Sequence, residues 1–240
     1  MCGAGDVRRI DLAYVEQAPR KGPRFATPFK NRPIVYDDPE LEDLEPEEAA
    51  YLRGVVGDAE LALYERSGED WREHLDEDAA VDYLLLQELF KNLDAFRSST
   101  FLHKGAGELL TFGPVWDLDL AMANAARGSV ESPRGWLTRE RQWASQLHAD
   151  EAFRRALARR WRELRDEDLA EEMLATVDRS ARELGPAVDR NFERWPILDE
   201  RAWQEPAVRG SFPAEVGALR AWLEARVAWL DAETTRILEG

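Results

Sequence analysis

The stretch 76–90 is the feature that most restricts the folds open to this chain. A helix drawn through it carries apolar side chains on nearly every side, at Val81, Tyr83, Leu84, Leu85, Leu86, Leu89 and Phe90. Such a helix is stable only when other elements surround it. Asp76 is a suitable N-cap, because a short carboxylate accepts hydrogen bonds from the amides of the first turn. The sequence therefore predicts a central buried helix that begins near Asp76.

A β-hairpin is predicted shortly after this helix. Two strand-like runs, 100–104 and 108–112, flank the turn Gly105-Ala106-Gly107. Helical spacing of apolar residues predicts further helices over 46–66 and from about 138 to the end. The predicted fold class is mainly α (α+β), with this hairpin and little other sheet outside the first forty residues. A central sheet of five or more strands is not expected.

Three carboxylates accompany this helix and hairpin. Asp94 follows the helix, and Asp117 and Asp119 follow the second strand. Phosphoryl transfer uses one carboxylate to orient the attacking hydroxyl and others to hold the metal ions that bridge the phosphates. Oxygen ligands of this kind suit magnesium or manganese. The same spacing is also common in turns and helix caps, so the spacing alone leaves both interpretations open.

Composition excludes several other classes of function. The net charge of −16 makes binding to nucleic acid unfavourable, because the phosphate backbone is repelled. Cys2 is the single cysteine, so neither an internal disulfide nor a thiolate zinc site is expected. The three histidines are far apart in sequence, which argues against a zinc hydrolase. No run of eighteen apolar residues predicts a membrane span, and no feature of the sequence indicates an oligomeric state.

Two longer motifs resemble the CotH (spore coat protein H-like) family of atypical bacterial protein kinases. The run DYLLLQELFKNLDAFRSST at 82–100 is similar to the family's catalytic-loop stretch, and GPVWDLDLA at 113–121 is similar to its metal-binding stretch. The resemblance covers roughly residues 33–233. Asn124 follows the metal-binding stretch and belongs to it, so the strongest motifs lie between 82 and 124. The resemblance continues through Gly135-Trp136, Phe153, Arg160-Trp161, Asn191-Phe192, Arg194-Trp195-Pro196 and Arg226.

The resemblance implies transfer of a phosphoryl group from ATP, with Mg (or Mn), to a serine or threonine of a protein substrate. Asp94 resembles the family's catalytic aspartate. Asp117 and Asp119 resemble its metal ligands. Ser99 stands five residues after Asp94, where ordinary kinases carry a metal-binding asparagine. Asn92 and Asn124 are possible supporting residues. Trp116 is expected to pack under the metal loop and to fix the direction of the Asp117 carboxylate.

The resemblance also predicts two regions. Residues 1–40 are expected to be an extended, hinge-like remnant of an N-lobe, and residues 41–240 a helical C-lobe of the kinase type. A kinase normally grips the phosphates with a glycine-rich loop and a strand lysine. Lys21 and Lys30 lie in proline-rich loops and are poor substitutes. The alternative function is therefore a catalytically inactive pseudokinase that acts as a scaffold or binding module. Family members are often extracellular or associated with the spore or cell surface.

Overall fold

The computed structural model describes residues 10–14, 24–65, 70–126, 129–200 and 207–240. The α-helices in these ranges are α1 Pro46–Glu65, α2 Glu77–Phe90, α3 Gln142–Ala149, α4 Glu151–Asp166, α5 Leu169–Leu184, α6 Pro186–Arg194 and α7 Phe212–Glu239. The strands are β1 Ile10–Tyr14, β2 Arg24–Ala26, β3 Pro33–Asp38, β4 Thr100–Lys104 and β5 Thr111–Val115. The described chain is thus mainly helical with a small amount of sheet, as predicted. None of its helices is both long and apolar enough to span a bilayer.

The strands form one antiparallel sheet in the order β2-β3-β1-β4-β5. The predicted hairpin is present, with Leu102 paired to Phe112 across β4 and β5, but its second strand begins at Thr111 and not at residue 108 as predicted. The expectation that no five-stranded sheet would form was wrong. β1 pairs with β3 on one side and with β4 on the other, so Leu12 lies between Tyr36 and Leu102. This arrangement covers an edge of β4 whose backbone amides and carbonyls would otherwise lack partners in the sheet.

The prediction for α2 is confirmed. The carboxylate of Asp76 accepts a hydrogen bond from the amide of Ala79 at 2.9 Å, and Leu84 and Leu89 are buried. The backbone on either side of Asp76 also bonds to the hairpin turn. Asp76 N donates to Leu110 O, and Leu110 N donates to His74 O, both at 3.0 Å. The start of α2 and the hairpin turn are therefore held together.

The chain divides into two compact units. The first comprises residues 1–86, 94–117 and 138–153, and the second residues 87–93, 118–137 and 154–240. The core of the first unit contains an aromatic cluster in which Phe112 contacts Tyr83, Phe96 and Trp143, with ring centroids 5.2, 5.4 and 6.2 Å away. The division of the chain into a hinge-like segment 1–40 and a lobe 41–240 stays a prediction.

A buried carboxylate on α1 organises part of the first unit. Glu60 has no solvent exposure. It accepts hydrogen bonds from the amide of Phe29 at 2.7 Å, from the amide of Lys30 at 3.2 Å and from Nε1 of Trp143 at 3.2 Å. Because a buried carboxylate must be satisfied by donors, these bonds fix the turn before β3 and the start of α3 against α1.

The second unit contains a fully buried ion pair between Glu88 of α2 and Arg226 of α7. Their side chains are completely excluded from solvent and lie 2.9 Å apart. Arg226 also donates to the carbonyls of Glu88, Pro133 and Gly135, and both carboxylate oxygens of Glu88 accept from Leu137 N. Burial lowers the pKa of Arg226 to about 10, although Glu88 opposes that shift, so the guanidinium remains charged at neutral pH. The pair joins α2 and α7 to the segment 133–137.

Lys91, directly after α2, organises the neighbouring loop of the same unit. The side chain is buried, and its Nζ donates to the carbonyls of Ser129, Ser132 and Arg134 at 2.7–2.9 Å. Each of the three ammonium protons thus has a backbone acceptor. The lysine therefore has a structural role in this loop.

Candidate active site

The segment between α2 and β4 contains the predicted catalytic aspartate. The carbonyl of Asp94 accepts hydrogen bonds from the amides of Arg97 and Ser98, both at 3.0 Å. The hydroxyl oxygen of Thr100 accepts from the amide of Phe96 at 3.0 Å. These bonds make a compact turn that begins at Asp94 and ends where β4 begins. We call residues 94–99 the aspartate loop.

Arg141 anchors the aspartate loop from a distant part of the sequence. Its guanidinium donates to the carbonyl of Ala95 at 2.8 Å. Nothing in the sequence pattern singled out Arg141, because the two residues are forty-six positions apart and only the fold brings them together. The loop is therefore fixed at its middle as well as at its two ends.

Ser99 and Asp117 lie next to each other at the open end of the β-hairpin. The Ser99 hydroxyl donates to Oδ2 of Asp117 at 3.1 Å, in a position exposed to solvent. The register of the hairpin explains this contact. Thr100 pairs with Val115, so the residue before β4 and the residue two positions after Val115 occur at the same end of the sheet. Sequence reasoning identified both residues but not the bond between them.

The backbone has a left-handed conformation at both of these residues. The φ angle is 50° at Ser99 and 63° at Asp117. Non-glycine residues adopt this region infrequently, at a cost of about 1–3 kcal/mol where it is not otherwise favoured, and such residues cluster at functional sites. The hairpin and the aspartate loop hold both residues in this conformation. Each side chain is thereby directed differently from that of a residue in an extended strand.

Trp116 does not occupy the position predicted for it. Its side chain is 61% exposed. The expectation that it packs under the metal loop and fixes the Asp117 carboxylate was therefore wrong. The residue follows β5 directly, where the chain leaves the sheet, and its ring faces solvent. The contact that the structure does show to the Asp117 carboxylate comes from Ser99.

The remaining candidate residues, Asn92, Asp119 and Asn124, belong to the second unit. The Nδ2 of Asn124 donates to the backbone carbonyl of Asp119 at 2.7 Å, and the amide of Asn124 donates to Ala121 O at 2.8 Å. Asn124 therefore shapes the turn that contains Asp119. Asn92 is buried, and its amide donates to Gln87 O at 3.0 Å. The structure thus pairs Ser99 with Asp117 and Asn124 with Asp119.

The donor atoms fit a hard divalent cation in their chemistry. Among the described residues, no group of three or more His, Cys, Asp or Glu side chains is arranged to hold a metal ion. Magnesium usually keeps several waters and binds through one or two carboxylates together with the phosphates of a substrate. The Asp117 carboxylate is a ligand of that type, and the Ser99 hydroxyl lies beside it. The predicted distance of roughly 4–8 Å between the carboxylates of Asp94 and Asp117 stays a prediction.

The described lysines have partners of their own. The Nζ of Lys30 lies over the rings of Phe29 and Tyr64, 4.7 and 4.6 Å from their centroids. The Nζ of Lys104 donates to Gly105 O at 2.8 Å, and Lys91 binds the carbonyls described above. Lys21 lies outside the described residues. A phosphate-binding role for Lys30 would require it to leave its aromatic contacts.

Comparison with known proteins gives one result. The family model described as "CotH kinase protein" matches residues 35–230, which include all of the candidate residues. No curated protein and no solved structure matches the chain.

Proposed function

Since the chain belongs to the CotH kinase family, we propose that it transfers the γ-phosphoryl group of ATP to a serine or threonine hydroxyl of a protein substrate. The observation that carries the proposal is the contact between Ser99 and Asp117 at the end of the hairpin. It brings together the aspartate loop and the segment after β5, which are the two motifs on which phosphoryl transfer depends. Both lie within the matched region.

Each residue has a distinct role in this proposal. Asp94 orients the hydroxyl of the protein substrate and accepts its proton as the phosphoryl group is transferred. Asp117 holds the divalent cation, and Ser99 orients the Asp117 carboxylate. Asp119, whose backbone is fixed by Asn124, is the second candidate ligand. A bound magnesium or manganese ion would neutralise charge on the phosphates of ATP. Asn92 supports the segment that precedes Asp94.

A phosphorylation assay tests this proposal. The chain would be incubated with radiolabelled ATP and Mg or Mn, with casein or the chain itself as acceptor. We expect incorporation of label into serine or threonine, and a loss of at least about 100-fold in Asp94→Asn and in Asp117→Asn, because each removes a transition-state interaction. Asp178→Asn, at a partly exposed ion pair with Arg220, is the matched control. Incorporation that survives both site substitutions would contradict the proposed roles.

The alternative function is that of a pseudokinase scaffold or binding module. The lysine contacts favour it, because the Nζ atoms of Lys91 and Lys104 bind backbone carbonyls and that of Lys30 lies over aromatic rings. Calorimetric titration with Mg-ATP distinguishes the two functions. Micromolar binding that Asp117→Ala abolishes would support the kinase, whereas no binding to either protein would support the scaffold. In the scaffold case, residues 1–40 would be the remnant of an N-lobe whose strands now complete the hairpin sheet.

A further inference from the structure

Trp116 differs from the other tryptophans of the described chain. Each of the others either donates a hydrogen bond from its Nε1 or lies against a ring or a guanidinium, namely Trp71, Trp136, Trp143, Trp161, Trp195, Trp222 and Trp229. No hydrogen bond, ring contact or cation–π contact joins the Trp116 side chain to another described residue, and that side chain is 61% exposed. An indole normally stabilises a fold by burying its large apolar surface, and this ring forgoes most of that stabilisation. Its surface is therefore available to a ligand.

The backbone on both sides of Trp116 is fixed. Val115, the last residue of β5, pairs with Thr100 of β4. Asp117, the next residue, has a φ angle of 63°, and its carboxylate accepts the hydrogen bond from Ser99. Neighbouring Cα atoms are about 3.8 Å apart, so the indole is attached directly beside the carboxylate that is proposed to hold the metal. Such a fixed attachment lowers the entropic cost of binding a ligand.

The nucleotide of the proposed kinase carries a flat base close to its phosphates. In that function, on whose nucleotide site this inference rests, the metal at Asp117 holds the phosphates of ATP. One ribose joins the base to those phosphates, so the base stays within the length of one nucleotide from the carboxylate. Aromatic side chains bind bases by stacking against their faces, without hydrogen bonds to their edges. Trp116 is the aromatic residue of the metal-binding stretch 113–121, and it is exposed.

We propose that the indole of Trp116 stacks on the purine ring of the ATP molecule whose phosphates are bound through the metal at Asp117. Trp116 is then a binding residue for the base, while Asp117 supplies affinity for the phosphates. Ordinary kinases grip the phosphates with a glycine-rich loop and a strand lysine. Because Lys30, Lys91 and Lys104 make other contacts, stacking on the base would compensate for part of that missing affinity.

The net charge of the chain gives an uncharged contact particular weight. At −16, the chain repels a triphosphate. A metal ion at Asp117 offsets that repulsion at the phosphates, but salt screens attraction between exposed charges. A stacked base contributes apolar and dispersion contact, which salt does not screen. The part of the ATP affinity that depends on Trp116 should therefore persist at high salt.

Isothermal titration of the full chain with Mg-ATP and with Mg-tripolyphosphate, which lacks the base and the ribose, tests the proposal. We expect Trp116→Ala to weaken the binding of Mg-ATP by at least about fivefold, as is typical for one base stacked on an aromatic ring. Its affinity for tripolyphosphate should not change. Trp116→Phe should retain most of the ATP affinity, because a phenyl ring can also stack. Trp195→Ala, at a tryptophan of the second unit that is 57% exposed, is the matched control and should bind both ligands as the wild type does.

Tryptophan fluorescence gives a second measurement that does not depend on activity. A base stacked on an indole quenches its emission, so Mg-ATP should quench the wild type more than Mg-tripolyphosphate does. That difference should disappear in Trp116→Phe and persist in Trp195→Phe. Circular dichroism of each variant would establish that it is folded.

The outcomes distinguish a failure of this inference from a failure of the proposed phosphoryl transfer. An ATP affinity that Trp116→Ala leaves unchanged, or equal losses for ATP and tripolyphosphate, would overturn the stacking role even in an active kinase. A loss for ATP alone would support stacking even if the chain incorporates no label into protein. A wild-type chain that binds neither ligand would contradict both proposals.

Discussion

The hydroxyl of Ser99 donates a hydrogen bond to the carboxylate of Asp117 at 3.1 Å, and both residues have a left-handed backbone. From its spacing of five residues after Asp94, Ser99 is predicted to take the place of the metal-binding asparagine of ordinary kinases. Its proton points to Asp117, so the serine is placed to orient that carboxylate. We interpret Ser99 as a positioning residue for the proposed metal site.

Removing the Ser99 hydroxyl should weaken metal binding without unfolding the chain. We expect Ser99→Ala to weaken the binding of Mn²⁺, measured by electron paramagnetic resonance, by about 3–10-fold, since one hydrogen bond to a charged group contributes roughly 1.5–3 kcal/mol at most and this one is exposed. Asp117→Asn should reduce binding further. Ser98→Ala is the control, because Ser98 enters the hydrogen bonds described for this loop only through its backbone: its amide donates to Asp94 O and its carbonyl accepts from the Thr100 hydroxyl. Unchanged Mn²⁺ affinity in Ser99→Ala would contradict the positioning role.

Breaking the buried pair of Glu88 and Arg226 should destabilise the chain strongly. Arg226→Met leaves the Glu88 carboxylate buried without its cation, and such changes cost about 3–5 kcal/mol. The measurement is the free energy of unfolding in urea. Arg220→Met, at the partly exposed pair with Asp178, provides the comparison and should cost about 0–1 kcal/mol. Similar losses in the two variants would show that burial of the Glu88 pair has little energetic effect.

Lys91→Met should also destabilise the chain, because it leaves the carbonyls of Ser129, Ser132 and Arg134 without the ammonium donor. Each carbonyl that stays buried and unsatisfied costs about 1–3 kcal/mol, less if water enters. Lys104→Met removes one hydrogen bond, to Gly105 O, and the contact of the ammonium with the ring of Tyr51, and should have a smaller effect. Thermal denaturation of the two variants side by side measures which substitution destabilises the chain more. A larger loss of stability in Lys104→Met than in Lys91→Met would contradict the prediction.

Asp150 should contribute to acid sensitivity. Partial burial tends to raise the pKa of its carboxyl, but hydrogen bonds from Trp71 and Arg72 outweigh that effect and hold the pKa below its ordinary value of 3.8. Because the folded-state pKa is the lower one, the stabilisation is complete above about pH 3.8 and is lost as the pH falls through the folded-state value.

The test of this prediction is the dependence of unfolding free energy on pH. Asp150→Asn should reduce the loss of stability on acidification below pH 3.8, because its amide cannot take up the proton. Asp58→Asn, at an exposed position of α1, should leave the acid limb as in the wild type. If the free energy of unfolding falls equally on acidification in Asp150→Asn and in the wild type, Asp150 does not contribute to the acid sensitivity.

The sequence by itself determined the local elements and the family. The apolar positions of α2, the Asp76 cap and the glycine-containing turn between β4 and β5 depend on residues close together in the chain, so periodicity and turn chemistry were sufficient to predict them. The motifs around Asp94 and Asp117 were likewise contiguous, and the match over residues 35–230 bears out the resemblance that rested on them.

The tertiary structure alone decided what depends on distant residues. Arg226 and Glu88 are 138 positions apart, and neither has a local pattern that predicts the other as its partner. The same applies to the pairing of β1 with β4 and to the bond between Ser99 and Asp117. Trp116 was placed wrongly because an aromatic side chain at a strand end can face either the core or solvent. Which of these it faces is fixed by the surrounding packing, and no short stretch of sequence encodes it.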